Sequence, residues 1–367
     1  MATITTVCGP VDPADLGFTS MHEHVLTDAS FYLDEVKPAL EPLRLEAWRP
    51  SDPDESVRME DLAYLRAGFF ALSKDAWNTN DEPLMTAELA DFKKAGGSAV
   101  LDCSAPGIRP NVAGLRRVSE ASGVHIVAST GLYAERSWPE RFREMSSQEF
   151  ESHVRSEIDK GMEGTDIRPG QIKCATNEVT DKQVEFLKAS ARVSRDTDYP
   201  LTAHLGIFTA EEDHRQVLRI LLDAGIAPER LIMCHMQGYV AESAVATLIS
   251  DPSSWQLRLD YVLEVLDLGV NLCFDCFGLT WSLEAVGMLP TSDVVNLAAV
   301  YALLEKGYAD QITVGTDTFT KPQLRRYGGY SYCRLLNFVV PWLRNVGVDD
   351  ATLDKLTVAN PARILAR

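Results

Sequence analysis

Three consecutive segments decide the fold: Pro200-Leu-Thr-Ala-His204, Thr209–Leu222 and Leu231-Ile-Met-Cys-His235. The first and last are short apolar runs, each closing on a histidine. A run that is apolar on both faces reads as a strand of a parallel sheet covered on both sides. The middle segment carries apolar residues at helical spacing. Thr209 and Glu212 stand at capping-box separation, and Gly225 supplies a stop. The unit is therefore strand, helix, strand, and such a crossover places the two strands parallel.

The same alternation continues in both directions. Strand-like runs are predicted at Phe18–His24, Ser98–Cys103, His125–Thr130, Gln171–Ala175, Pro200–His204, Leu231–His235, Val270–Asp275 and Ile312–Asp317. Further helices are predicted at Leu84–Lys94, Val112–Ala121, Asp181–Ser194 and Val294–Lys306. Eight apolar strands separated by helices predict a closed (β/α)8 TIM barrel. An open doubly wound sheet is the competing arrangement. No Gly-x-Gly-x-x-Gly follows the first strand, and polar residues gather at strand ends, so the barrel is preferred. The chain, 1–367, reads as one domain with a short N-terminal β extension at about 1–17. Two long connections, about 27–60 and 318–332, leave the C-terminal ends of the first and eighth strands. Barrel active sites lie at that end, and loops this long read as lids.

Hydrophobic residues make up 46 % of the chain and charged residues 24 %, enough for a large core. Lys and Arg total 35 against 53 Asp and Glu, a formal charge of −18. Such a surface repels nucleic acid and anionic membranes, and points to a small-molecule substrate. No apolar run is long enough to span a bilayer. The opening Met-Ala-Thr-Ile-Thr-Thr has no basic region leading into an apolar stretch, so no secretory signal is read there. Seven scattered cysteines fit a reducing cytoplasm better than a disulfide framework.

The chemistry lies at the strand ends. His22-Glu23-His24 closes the first run; residues two apart on a strand point the same way, so both imidazoles can share a metal while Glu23 points outward. His204 and His235 close the fifth and sixth runs. Of the seven histidines, at 22, 24, 125, 153, 204, 214 and 235, these four sit at predicted C-terminal strand ends. His125 begins a strand, and His153 and His214 fall in helix patterns, so these three read as structural or solvated. Asp317 closes the eighth run, where a carboxylate can bind a metal and take a proton from the nucleophilic water. Lys173, inside an apolar strand, is costly unless paired or modified. Two readings stand for it: a carbamate bridging two metals, or an ammonium paired with Asp317 in a one-metal site. Cys174 and Cys234 adjoin proposed ligands, so alternation turns them towards the helices as small apolar filler. Cys273 and Cys276 read as core packing.

Together these residues resemble the phosphotriesterase family of the amidohydrolase superfamily. The likeness rests on Gly9-Pro-Val-Asp-Pro-Ala-Asp-Leu-Gly-Phe-Thr-Ser-Met-His-Glu-His24, Ala128-Ser-Thr-Gly-Leu-Tyr133, Gln171-Ile-Lys173, Thr202-Ala-His204, Cys234-His-Met236, Gly315-Thr-Asp317 and Asn360-Pro-Ala-Arg-Ile-Leu365, in family order. The resemblance implies a binuclear centre, zinc by default, with cobalt, manganese or iron as substitutes. His22, His24 and Asp317 would bind the buried metal and His204 and His235 the exposed one. Lys173, N6-carboxylated, would bridge them beside a hydroxide. Tyr133 matches a tyrosine lining the metal pocket in the lactonase-like branch and would serve the oxyanion. Cys276 stands where that branch often has an arginine. Arg326-Tyr-Gly-Gly-Tyr-Ser-Tyr332 resembles the phosphotriesterase-related branch, many of whose members bridge with a glutamate rather than a lysine. The family also implies a homodimer.

The expected activity is metal-dependent hydrolysis of a carboxyl ester, lactone or amide. The alternative is phosphotriester hydrolysis in the same site. A third reading, a catalytically silent ligand-binding barrel, has no use for an intact metal-water set. Trp48, Phe277, Trp281 and Tyr327 are candidate pocket aromatics, and Arg325 and Arg326 candidate partners for a substrate carboxylate.

Overall fold

A computed structural model describes residues 2–40, 55–206 and 208–367 of the chain. Residues 41–54, which carry Trp48 and much of the connection expected at about 27–60, lie outside the described residues.

A two-stranded antiparallel hairpin, β1 (Ile4–Thr6) and β2 (Gly9–Val11), precedes the barrel. The barrel strands are β3 (Thr19–Glu23), β4 (Ala99–Asp102), β5 (His125–Val127), β6 (Ser129–Leu132), β7 (Gln171–Thr176), β8 (Leu201–Leu205), β9 (Leu231–Met233), β10 (Asn271–Phe274) and β11 (Ile312–Val314). β5 and β6 are one predicted strand interrupted at Ala128. β5 pairs with β4, and β6 pairs with β7, so a kink in a single strand joins the two parts of the sheet. All barrel pairings are parallel. The fold is the (β/α)8 TIM barrel that the alternation predicts.

Closure between the first and last barrel strands uses side chains more than a ladder. Gly315 passes so close to the His22 backbone that an added Cβ would lie 2.8 Å from its nitrogen, leaving room only for glycine. The Asp317 peptide N–H donates to the His22 carbonyl at 2.9 Å. Glu23, fully buried, then clamps the end of β11. One carboxylate oxygen accepts from the Thr316 peptide N–H at 2.9 Å and the other from the Thr318 peptide N–H at 3.1 Å, and the Thr316 and Ser20 hydroxyls add further donors. Glu23 does point away from its neighbouring histidines, but into a buried clamp rather than towards solvent. Burial pushes its carboxyl up to about 7, against those donors. Glu23→Gln replaces one acceptor with an NH2 group facing peptide N–H donors. It is expected to cost about 1–3 kcal/mol of stability, read as a lowered thermal midpoint; an unchanged midpoint would show that the clamp is dispensable.

The helices cover the outside as expected. Glu82–Ala95, Val112–Ser122 and Asp181–Thr197 cover and extend their predicted spans by a few residues, and Asp293–Glu305 matches its predicted span shifted by one residue. One detail differs. The helix predicted from Thr209 runs Glu211–Asp223, its cap is Ala210, and no side chain bonds the cap. Thr209 is held in a preceding turn, its N–H donating to the Gly206 carbonyl at 2.8 Å, so the helix starts beyond the reach of its hydroxyl. Glu212 pairs with Arg219 on the surface instead. Gly225, at φ +92°, sits at the stop as predicted. Among the described residues no helix is long and apolar enough to cross a membrane.

Candidate metal centre

His22, on β3, and His24, one residue beyond it, are buried, as are Lys173 on β7 and His204 on β8. His235 and Asp317 stand past the ends of β9 and β11, not within them. Both have left-handed backbones, φ 58° and 48°, which break strand alternation and swing their side chains towards the barrel axis. The structure thus brings all six predicted residues to one end of the barrel.

The hydrogen bonds around the imidazoles orient the rings. His22 Nδ1 lies 2.6 Å from one Asp275 oxygen, and His235 Nδ1 lies 2.7 Å from the other. Asp275 is ionised beside two such rings: burial raises its carboxyl, but His235 and His22 outweigh that and hold it well below the usual range. Each Nδ1–H is therefore turned to Asp275, and each Nε2 is turned towards the barrel axis. His24 Nδ1 contacts the Ser104 hydroxyl at 2.9 Å, leaving its Nε2 3.3 Å from Asp317 Oδ1. His204 is reversed: its Nδ1 lies 2.8 Å from His235 Nε2, and its Nε2 faces the Tyr133 hydroxyl at 3.5 Å.

Two groups of potential ligand atoms converge. His22 Nε2, His24 Nε2 and Asp317 form one; the ligand atoms of His22, His204 and His235 form another, in each case within 4.8 Å of one another. Imidazole nitrogens and a carboxylate converging in this way are the donor set of a divalent cation. Lys173 Nζ sits beside both, 3.4 Å from His22 Nε2. Among the described residues no carboxylate oxygen lies within the 4.0 Å of an ion pair with it, so the Lys173–Asp317 pair is not formed. Asp317 itself is fully ionised. Burial raises its carboxyl, but His22, His24 and His235 together hold it at about 2.

Sequence reasoning missed Asp275. Its signal was available, since it is a carboxylate directly following an apolar strand, but nothing in the sequence says that one side chain spans two histidines 253 and 40 positions away. Such outer carboxylates set the orientation and basicity of metal-binding imidazoles, and losing one typically costs about 10–100-fold in affinity. Asp275→Asn is expected to do this, because an amide NH2 facing one Nδ1 forces the wrong tautomer. Competition with a chelator measures it; unchanged metal retention would remove Asp275 from this role.

The cysteines divide differently from expectation. Cys174 packs against the helix-facing core as read. Cys234 faces the barrel interior, clustered with Met21, Cys103 and Cys273, because the left-handed turn at His235 lets consecutive side chains share the axis side. Cys276 is not core filler. At φ 59° it turns into the site, its thiol donating to Asp317 Oδ2 at 3.5 Å. Burial, with Asp275 and Asp317 nearby, pushes that thiol well above its usual range, so it stays protonated.

A cavity of about 570 Å³ opens above this cluster, lined by Tyr133, Trp281, Cys276 and Asp317 among others. Phe277 and Tyr327 do not line it; Phe277 is buried in the helix-facing core. Arg325 pairs with Asp91 at 2.5 Å, and the peptide N–H groups of Arg325 and Arg326 donate to Glu88, so this segment is tied to the outer helix Glu82–Ala95. His214 is structural, bonded to the Tyr261 hydroxyl, and burial lowers it to about 3. His153 packs near Glu157, 3.3 Å away.

The sequence profile of the phosphotriesterase family matches residues 2–365. A phosphotriesterase-related protein of Nematostella vectensis is 30 % identical over 97 % of this chain and 96 % of its own length. An N-acetyltaurine hydrolase of Tetraodon nigroviridis is 30 % identical over 98 % and 96 % respectively. Among solved structures, a resiniferatoxin-binding protein from Rhodobacter sphaeroides superposes with a TM-score of 0.83 at 29 % identity, covering 99 % of this chain and 94 % of that one.

Proposed function

Because the chain belongs to the phosphotriesterase family, a family with hydrolases among its members, we propose that it hydrolyses a carboxyl ester, lactone or amide with two divalent metals. His22, His24 and Asp317 would hold one metal and His204 and His235 the other, with Lys173, carboxylated, between them. The observation that carries this is the orientation of the rings. Asp275 and Ser104 take the outer nitrogens of three imidazoles, so that their inner nitrogens converge near Asp317 and Lys173. Two divalent metals held by these residues, zinc by preference, would supply an activated water and a Lewis acid for the scissile carbonyl.

The chain's own groups do the rest. Asp317, ionised and beneath the cavity, accepts a proton at its carboxylate and passes it outward. The Tyr133 hydroxyl is kept protonated, since burial lifts it well above its ordinary range. If His204 binds through Nδ1, its Nε2–H donates to the Tyr133 oxygen, leaving the Tyr133 O–H free to donate to a developing oxyanion. Acyl rather than phosphoryl substrates are favoured by the amide that the N-acetyltaurine hydrolase relative is named for.

The test is metal content together with turnover. Protein prepared without chelator is expected to carry about two divalent ions per chain and to hydrolyse members of an ester, lactone and N-acyl panel. Chelation should abolish both, and added zinc should restore them. Full activity with one ion or none would sink the binuclear reading, and turnover of phosphotriesters alone would replace the acyl reading.

A further inference from the structure

Three side chains beside the candidate metal centre join their polar ends in series. Tyr32 opens the helix Tyr32–Leu40, Tyr133 follows β6 and Asn177 follows β7, and all three line the cavity. The Asn177 amide nitrogen donates to the Tyr32 oxygen at 3.1 Å. The Tyr32 hydroxyl donates in turn to the Tyr133 oxygen at 3.5 Å, and His204 Nε2 approaches that same oxygen at 3.5 Å from the metal side. The Tyr32 ring is held by stacking on Trp77, 5.2 Å between centroids. One turn further along its helix, Glu35 pairs with Arg136 at 3.4 Å, so the helix is tied to the barrel rim at two points.

The protons in this series can be counted. An amide NH2 only donates, so the Tyr32 oxygen accepts from Asn177, and its single O–H is left to donate to the Tyr133 oxygen. With Tyr32 on one lone pair and His204 Nε2–H, when Nδ1 holds the metal, on the other, the Tyr133 O–H turns away from both and towards the cavity. Contacts of 3.5 Å are long for hydroxyl bonds, but contacts of this kind tighten as charge develops on the reacting atom. Hydrogen bonds in series also polarise one another, so each donor behind Tyr133 makes its own O–H a stronger donor. Resting on the acyl-hydrolase reading above, in which Tyr133 serves the oxyanion, we infer that Tyr32 and Asn177 are positioning residues for Tyr133. They fix the direction of its proton and touch no reacting atom themselves. Without Tyr32 that O–H is free to rotate, and donation is lost where the oxyanion forms.

The metal-loaded protein is to be compared with its Tyr32→Phe and Tyr133→Phe variants and with the double variant, on the ester, lactone and N-acyl panel. Phenylalanine keeps each ring and removes only the oxygen. Tyr133→Phe is expected to lower kcat about 10²-fold. Tyr32→Phe should lower it about three- to tenfold, with KM nearly unchanged and the bound metal retained. In the Tyr133→Phe background, Tyr32→Phe should change kcat by less than about twofold, because no hydroxyl is left to position. Asn177→Leu leaves the stack on Trp77 intact and should reproduce the Tyr32→Phe loss even if that variant folds poorly. Unchanged kcat in Tyr32→Phe, a loss confined to KM, or the same loss with and without the Tyr133 hydroxyl overturns the inference and leaves the acyl-hydrolase reading standing. Unchanged kcat in Tyr133→Phe overturns the role of Tyr133 and its positioning together. Should no panel member be hydrolysed, the acyl-hydrolase reading fails, and binding of methylphosphonate, a tetrahedral anion, decides the series. Weaker binding in Tyr32→Phe only where Tyr133 keeps its hydroxyl upholds it, and any other pattern overturns it.

Discussion

Lys173→Ala is expected to lower turnover by at least about 10³-fold and to leave at most one of two divalent ions bound. The side chain is fully buried on β7, its Nζ 3.4 Å from His22 Nε2 and without an ion-pair partner among the described residues. An ammonium in that position is expensive, and removing an unpaired buried charge would ordinarily stabilise a protein. Addition of the neutral amine to carbon dioxide, with loss of one proton, would make it a carbamate instead. The side chain then accepts rather than donates, as its surroundings of converging acceptors require if cations lie between them. Lys173→Glu should be milder than Lys173→Ala, since it restores a carboxylate of similar reach. Short carboxylic acids with bicarbonate should partly rescue Lys173→Ala. Elemental analysis and kcat, measured on the same preparations, separate the outcomes. An alanine variant that holds two ions and turns over normally would make Lys173 a structural lysine.

Much of the fold was legible because each barrel strand is an apolar run bounded by an amphipathic helix, a pattern that survives errors of a residue at either end. The placement of four candidate metal-centre residues, His22, His24, Lys173 and His204, was legible for the same reason: strand alternation fixes where a side chain points. Alternation failed where the backbone turns left-handed. His235, Cys276 and Asp317 all have positive φ, and none is a glycine, so the sequence carried no sign of the turn. The two ligand candidates were still found, because histidine and aspartate at a strand end announce themselves. Cys276 was misread, because a cysteine there looks like packing. Asp275 and the rest of the cavity lining escaped for another reason. Phe70 and Trp77 come from irregular segments far from any strand end, and only tertiary packing places them over the site. The kink at Ala128 likewise follows from how β5 and β6 choose different neighbours, which no local pattern encodes.

Asp317→Asn is expected to lower kcat by about 10²–10⁴-fold while changing bound metal much less. The substitution is conservative for the backbone. Asparagine tolerates the left-handed conformation that Asp317 adopts at φ 48°. The peptide N–H still reaches the His22 carbonyl at 2.9 Å, and the carbonyl still accepts from the Gln323 amide at 2.8 Å, so barrel closure is preserved. On the metal side, the amide keeps one oxygen near His24 Nε2, now 3.3 Å from the carboxylate, and both His22 and His24 remain. What disappears is the acid–base capacity. Three imidazoles hold the native carboxyl at about 2, so at neutral pH it is an open acceptor that takes a proton briefly and hands it on. An amide oxygen cannot do so, and no neighbour substitutes. Asp275 is locked between two histidines, and the Cys276 thiol is already protonated. The measurement is kcat with metal content on one sample. Near-normal kcat would remove Asp317 from proton transfer, and a loss that tracks metal loss and is reversed by added zinc would leave it a ligand alone.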